Sequence, residues 1–371
     1  EGGAGRGLGA LASRLAARLP LAAREAMELA YNLVAYRRLS AAIRRRRPAF
    51  VYERYAANTF AGVLAARRHG VPLVLEVNAP LALEKAEHGG LRFARLTRSV
   101  ERWVCARASV TLAVTRVLAG VLEAEGVPPG KVQVMPNGVR RGFGAAPDLA
   151  ARAAAARARL GIGTDEVLVG FIGWFRPWHG LERLLEAAAD PAWREARVRL
   201  LLAGEGPALP ALRRAAAPLG DRVLFAGTVP REEVEATLAA CDVAVQPAVT
   251  PYACPMKLLE YMAAGRAIVA PASDNVRELL ADGESALLAG DGPAPAAAEL
   301  GRAVLVLARD PALRARLGAA ARRAVEERGL FWEENARRVE ELAAAARQAA
   351  RPQRVESAAQ REIARRELPT C

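Results

Sequence analysis

Between Val167 and Pro271 short apolar runs alternate with stretches of helical spacing, and this alternation restricts the fold more than any other feature of the chain. The runs at 167–172, 198–203, 222–225, 242–246 and 267–270 are nearly continuously apolar and too short for helices. They read as strands of a parallel sheet covered on both faces. Helical segments at 180–189, 208–217 and 231–240, and from Pro255 to Gly265, separate them, which predicts a doubly wound α/β domain. A helix over 274–281 and a long helical region over 295–349 complete it, and residues 144–160, rich in alanine and arginine, read as a connecting helix.

The first half repeats the pattern from a different start. Residues 8–47 read as two helices broken at Pro20. Strands follow at 50–55, 73–77, 110–114 and 131–136, with helices at 59–69, 95–107 and 116–125 between them. Asn137-Gly138 reads as a turn. The polar tail from Arg351 predicts a frayed helix or disorder. At 371 residues and 52% apolar content the chain can bury two cores. The expected boundaries are 1–145, 146–340 and a tail at 341–371.

Charge adds a second expectation. The formal balance is +13, and residues 1–47 carry ten arginines against Glu1, Glu25 and Glu28. Such an end suits anionic lipid or an acidic polymer. Nucleic acid is disfavoured, because stacking aromatics are not interleaved with the basic residues. Cys105, Cys241, Cys254 and Cys371 form no CxxC pair, so neither a zinc site nor a disulfide framework is indicated and a reducing compartment follows. No run of eighteen apolar residues predicts a transmembrane helix.

Gln246–Pro271, QPAVTPYACPMKLLEYMAAGRAIVAP, concentrates the chemistry. Pro255 opens a helix whose first N–H groups lack partners, and such a start attracts phosphate. Lys257 and Glu260, three residues apart, project from roughly one face, one suited to an anion and the other to hydroxyl groups. The loop GWFRPWHG at 173–180 has two readings. Trp174 and Trp178 clamp it, or Arg176 and His179 offer donors to phosphate at a strand's carboxyl end, which is favoured. GEGPAL at 204–209 has Leu209 where a dinucleotide fingerprint needs its third glycine, so a tight turn is the better reading. Glu76 and Asn78 are either a solvated strand end or groups facing a ligand crevice. Cys254 lacks an adjacent histidine and reads as a packing residue rather than a nucleophile.

Together VGFIGWFRPWHGLERLLEAA, LLLAGEGPALPALRRA, VLFAGTVPREEVEATLAACDVAVQP, CPMKLLEYMAAGRAIVAP and NVRELLADGESALL resemble the retaining nucleotide-sugar glycosyltransferases called glycosyl transferases group 1. VLEVNAPLALEK, KVQVMPNGV and GLFWEENARRVEEL extend the resemblance over about 50–340. It implies the α/β fold named GT-B, two Rossmann-like doubly wound domains facing across a cleft. It also implies a UDP- or GDP-linked sugar donor, an unidentified glycan, lipid or small-molecule acceptor, and no metal or other cofactor. Glu260 would hold the donor ribose, and the backbone at Thr228 and Val229 the base. Arg176 and Lys257 would neutralise the departing diphosphate. Gly173, His179, Tyr252, Cys254, Pro255 and Met256 would line the donor, with Glu76 and Asn78 in the first domain.

This chain departs from the family pattern at four points. Tyr252 stands where the first of two glutamates is expected, His179 where a lysine is, and Asn78 where a catalytic histidine is frequent. The chain also enters at helices, where the N-terminal domain ordinarily begins with a strand and a glycine-rich loop, so the start of that domain is expected to be absent. The resulting expectation is a cytoplasmic glycosyltransferase, peripheral at the inner membrane. The alternatives are an inactive nucleotide-sugar-binding protein or a sugar-nucleotide epimerase of the same fold.

Overall fold

The computed structural model describes residues 19–87 and 89–366, with side chains described as far as residue 349. Expectations for residues 1–18 and for Cys371 lie outside the described residues. The chain divides into two compact units, one running to Met135 and resuming at Arg337, the other Pro136–Ala336.

The first unit begins with the helix Leu21–Arg46, which Pro20 precedes. Strands β1 (Val51–Arg54), β2 (Leu73–Val77), β3 (Val110–Ala113) and β4 (Val132–Val134) form a wholly parallel sheet in the order β1-β2-β3-β4. Helices Ala61–His69, Ala94–Arg107 and Arg116–Ala124 are the crossovers, as the apolar spacing predicts. The short helix Leu81–Glu87 has no sequence counterpart in the expectations above. Val74, Val110, Leu112 and Met135 pack against Val339 and Ala343 of the C-terminal helix Trp332–Arg366. That helix continues through residues expected to fray.

Polar residues fasten the long first helix to the unit. Asn32 Oδ1 accepts from the Phe60 and Ala61 N–H groups at 2.8 and 3.0 Å, and its amide donates to the Asn58 carbonyl at 2.8 Å. Asn58 holds a left-handed φ of 60° and donates to Glu28, while its own Oδ1 accepts from Thr97. The Glu25 carboxylate accepts from the Arg92 and Phe93 N–H groups. Buried polar groups tolerate burial only when paired in this way.

In the second unit six parallel strands, β5 (Val167–Ile172), β6 (Val198–Ala203), β7 (Val223–Gly227), β8 (Val243–Val245), β9 (Ala267–Pro271) and β10 (Leu287–Ala289), take the order β10-β9-β8-β5-β6-β7. Strand β10 is an addition to the sequence expectations, because a three-residue run carries too little periodicity to register. The long helical region proves to be Ala297–Arg309, Pro311–Glu327 and the C-terminal helix. Asp310 makes the first break, its carboxylate accepting from the Leu313 N–H at 2.8 Å ahead of Pro311. The expected helix 274–281 is confined to Asp274–Arg277. Leu149–Arg159 is more than a connector. Arg157 donates to the Ala240, Gly163 and Glu166 carbonyls and to Asp242, locking that helix onto the unit.

Candidate functional site

Strand order places a crevice in the second unit. The chain leaves β5 toward β6 and β7 on one side, and its later strands β8, β9 and β10 lie on the other. Loops leaving the carboxyl ends of β5 and β8 therefore diverge, and open parallel sheets bind ligands at such a reversal. The loops are residues 173–180 and 246–255, and between them they carry Gly173, Arg176, His179, Tyr252, Cys254 and Pro255.

Close backbone packing shapes the first loop. Gly173 has φ 142°, and a Cβ there would lie 2.5 Å from Lys257 Cε. At Gly204 a Cβ would lie 1.9 Å from the Gly173 carbonyl oxygen. The Phe175 N–H donates to the Glu205 carbonyl at 2.6 Å, and the Ala208 N–H to the Phe175 carbonyl at 3.2 Å. The glycines of GEGPAL thus serve backbone approach. Phe175, fully buried, anchors the loop, whereas Trp174 and Trp178 are 53% and 56% exposed. The tryptophans do not clamp it. They flank Arg176, whose guanidinium carbon lies 6.0 and 5.2 Å from their ring centroids.

Lys257, in the first turn of Met256–Ala263, reaches this loop. Its Nζ stands 3.4 Å from His179 Nε2 and 5.1 Å from the Phe171 ring centroid. Burial, opposed by the Glu260 charge, pushes the Lys257 ammonium down to about 8. Burial first, then the charges of Lys257 and Arg176, push His179 down to about 4. Near neutral pH the imidazole is therefore uncharged, and the local positive charge rests on Lys257 and Arg176. Burial raises Glu260, against the opposing effect of Lys257, and its carboxylate makes no side-chain hydrogen bond among the described residues. An anion beside Lys257 and hydroxyl groups beside Glu260 would supply what both groups lack.

Two asparagines fix the second loop. Buried Asn275 donates to the Thr250 and Ala253 carbonyls at 3.0 and 2.7 Å, with its Oδ1 accepting from Ser273. Asn137 donates to the Cys254 carbonyl at 3.0 Å, so the Asn137-Gly138 turn does more than reverse the chain. Their partners lie 22 to 117 residues away, and only the flanking turn and helix signals were legible locally. Burial pushes the Cys254 thiol up to about 11, which agrees with a packing role. Thr228 and Val229 follow β7 at the same sheet edge, Thr228 exposed and Val229 half-buried. Pro255 caps the helix with φ −70°, and Met256 is exposed beside it.

Glu76 and Asn78 belong to the first unit, at the carboxyl end of β2. The Glu76 carboxylate accepts from Tyr52 and from Asn78. These two predicted residues are therefore brought together with each other.

A doubly wound parallel sheet whose loops diverge beside the Lys257 ammonium defines an α/β protein of Rossmann-like topology. Residues 166–310 match the family model described as Glycosyl transferases group 1, and residues 12–142 match Glycosyltransferase Family 4. The chain is 32% identical over 308 residues to the D-inositol 3-phosphate glycosyltransferase of Frankia alni, covering 78% of this chain and 72% of that one. It is 28% identical over 268 residues to the alpha-D-kanosaminyltransferase of Streptomyces kanamyceticus, covering 70% and 67%. For the D-inositol 3-phosphate glycosyltransferase of Acidothermus cellulolyticus, 30% identical, the shares are 72% and 61%. Anabaena HepE in complex with UDP superposes with a TM-score of 0.66 at 20% identity, over 88% of this chain and 82% of that one. WaaG, a glycosyltransferase involved in lipopolysaccharide biosynthesis, superposes at 0.59 and 16% identity over 86% and 95%. The chain belongs to the glycosyl transferases group 1 family, and its two parallel-sheet units have the GT-B fold.

Proposed function

We infer that this chain moves a sugar from a nucleotide diphosphate sugar onto a hydroxyl-bearing acceptor, with retention of anomeric configuration. One observation carries the reading: Lys257 sits against His179 and Gly173 at the switch point of the second sheet, one helical turn from Glu260, whose carboxylate makes no side-chain hydrogen bond among the described residues. The leaving group of such a transfer is a nucleoside diphosphate, so the main task of the protein is to stabilise negative charge on the departing phosphate. Lys257, Arg176 and the positive dipole end at the start of Met256–Ala263 supply that stabilisation without a divalent cation. Glu260 accepts from the ribose hydroxyls, and the backbone at Thr228 and Val229 borders the base. UDP in complex with a neighbour of the same fold supports a uridine nucleotide as the first ligand to try.

Isothermal titration with UDP and GDP, in buffer with EDTA, tests the donor assignment. Micromolar to low-millimolar binding of one of them is expected; binding of neither overturns the reading. Anomeric proton couplings of the product, read by NMR, then test retention.

We also place the chain in the cytoplasm, with the first unit against an anionic membrane. Arg44–Arg47 are exposed at the end of a helix that also exposes Met27, Tyr31 and Leu33. No helix among the described residues is long and apolar enough to cross a membrane. Sedimentation with phosphatidylglycerol vesicles that is lost at 0.5 M salt is expected; equal sedimentation with phosphatidylcholine vesicles counts against it.

A further inference from the structure

The second unit has a cavity of about 650 Å³ at the amino ends of β8 and β9, the opposite edge of the sheet from the crevice. The helix Leu149–Arg159 lines it with alanines, among them the exposed Ala150 and Ala154. Across from them stand two arginines, Arg266 at the entry to β9 and Arg322 from the helix Pro311–Glu327. Arg322 runs beside Gly265, where an added Cβ would lie 3.8 Å from its Cδ, so both arginines reach the cavity from neighbouring backbone.

The fold supplies these two cations with no anion. The carboxylates around the cavity are held elsewhere: Asp242 by Arg157 at 2.9 Å, Asp148 by Arg152 at 3.9 Å, and Glu235 by Arg140 and the Gly144 N–H. Neither Arg266 nor Arg322 has a carboxylate within 4 Å among the described residues. Arg266 is partly committed to backbone, its Nε donating to the Ala264 carbonyl at 3.1 Å and its Nη1 to the Ala239 and Cys241 carbonyls at 3.1 and 3.2 Å. That leaves its Nη2 for the cavity. The Arg322 guanidinium donates only to the Gly144 carbonyl, at 3.3 Å. Burial first, with the Arg322 charge adding to it, lowers the Arg266 guanidinium against the opposing charge of Asp242. Capping of carbonyls explains Arg266. It does not explain Arg322, because an uncharged donor would serve Gly144 without repelling a neighbouring cation.

We propose that this cavity binds a small phosphomonoester, with its phosphate between Arg266 and Arg322 and its carbon body along the alanines of Leu149–Arg159. A phosphomonoester carries a charge of about −1.5 to −2 at neutral pH and three acceptor oxygens, which balances two guanidinium groups; a carboxylate would balance one. Planar guanidinium donors suit phosphate oxygens in particular. The volume falls within the roughly 300–1,000 Å³ of small-molecule sites and leaves room for more than the phosphate. The assignment does not depend on the donor reading, because the two sites share no side chain.

Isothermal titration of the full chain with inorganic phosphate and with phenyl phosphate, at fixed ionic strength, tests the proposal. Binding of phenyl phosphate is expected, and tighter than that of inorganic phosphate. It should weaken at least about tenfold in Arg322→Gln, which removes one charged donor. The same loss is expected in Ala154→Glu, which sets a carboxylate at an exposed helical position on the cavity and suits the helix. Melting temperatures close to that of the parent will show that both variants fold, and Lys257→Met should bind phenyl phosphate as the parent does. Binding of neither probe, or parent-like affinity in Arg322→Gln and Ala154→Glu, overturns the site. Loss in Lys257→Met alone also overturns it, since the anion would then occupy the crevice. Equal affinity for the two probes overturns the part assigned to the alanines.

Discussion

The buried amide network of the first unit and the half-buried Lys257 and Glu260 of the second are treated in opposite ways. In the first unit Glu25, Asn32, Asn58 and Thr97 are deeply buried, and each finds partners within the fold. In the second, Lys257 and Glu260 are half-buried, with the ammonium lowered to about 8 and the carboxylate raised. A satisfied network gives rigidity, whereas groups held away from their ordinary protonation equilibrium are suited to a ligand. The sheets differ in the same sense. The order of the second reverses between β5 and β8, whereas the described strands of the first run in sequence.

The largest expected effect breaks the first half of this comparison. Asn32→Ala leaves the Phe60 and Ala61 N–H groups and the Asn58 carbonyl without their side-chain partner. At about 1–3 kcal/mol for each buried group left unpaired, with partial relaxation, a loss of about 2–4 kcal/mol is expected in urea denaturation. UDP affinity of the folded protein should stay the same. A loss below about 0.5 kcal/mol would show the network to be incidental. Next, Glu260→Ala should weaken UDP binding by at least about 1.5 kcal/mol, roughly tenfold, with little loss of stability. Unchanged affinity would remove the ribose assignment.

Lys257 gives an effect of opposite sign on stability and binding. Its folded value of about 8 lies below the usual 10.5, so between those two pH values the unfolded chain binds more protons and stability rises with pH. Below about pH 8 the folded protein carries the full cost of the buried ammonium. Lys257→Met should therefore stabilise the free protein on the order of 1 kcal/mol at pH 7, after discounting for solvent screening, and by almost nothing at pH 11. UDP affinity of the parent should fall as pH rises through about 8, where the ammonium is lost, and that dependence should be absent in the variant. A parent affinity flat from pH 7 to 9.5 would show that Lys257 does not face the phosphate.

The local pattern foretold the elements of both sheets well, and the pairs between them poorly. Strand runs such as LVLEV and VLVGFI and the Pro255 helix start are periodic or punctuated within ten residues, which is the range over which side-chain spacing reports backbone shape. Lys257 against His179 spans 78 residues, and Tyr52 against Glu76 spans 24. Such contacts depend on strand register, which no local window contains. Glu76 and Asn78 are visible as polar residues ending an apolar run, whereas nothing local sets Tyr52 apart within the strand at 50–55. The helix Leu149–Arg159 misled for a related reason: Arg157 resembles any solvated arginine until its four partners come together around it.

The smallest expected effect concerns Trp174 and Trp178. Aromatic residues in a loop ordinarily suggest packing, and here the local sequence invites that reading. Yet the loop is already fixed by Phe175 and by the backbone bonds joining residues 173–175 to 203–208. Over half of each tryptophan remains in water, so truncation removes little buried area. Trp174→Ala and Trp178→Ala should each change stability by less than about 0.5 kcal/mol, while Phe175→Ala should cost about 3–5 kcal/mol in the same denaturant series. If either tryptophan variant lost more than about 1.5 kcal/mol, the loop would depend on side-chain clamping after all. The contrast drawn between a crevice kept open for ligand and a network closed on itself would then lose one of its supports, because part of the crevice wall would be ordinary core.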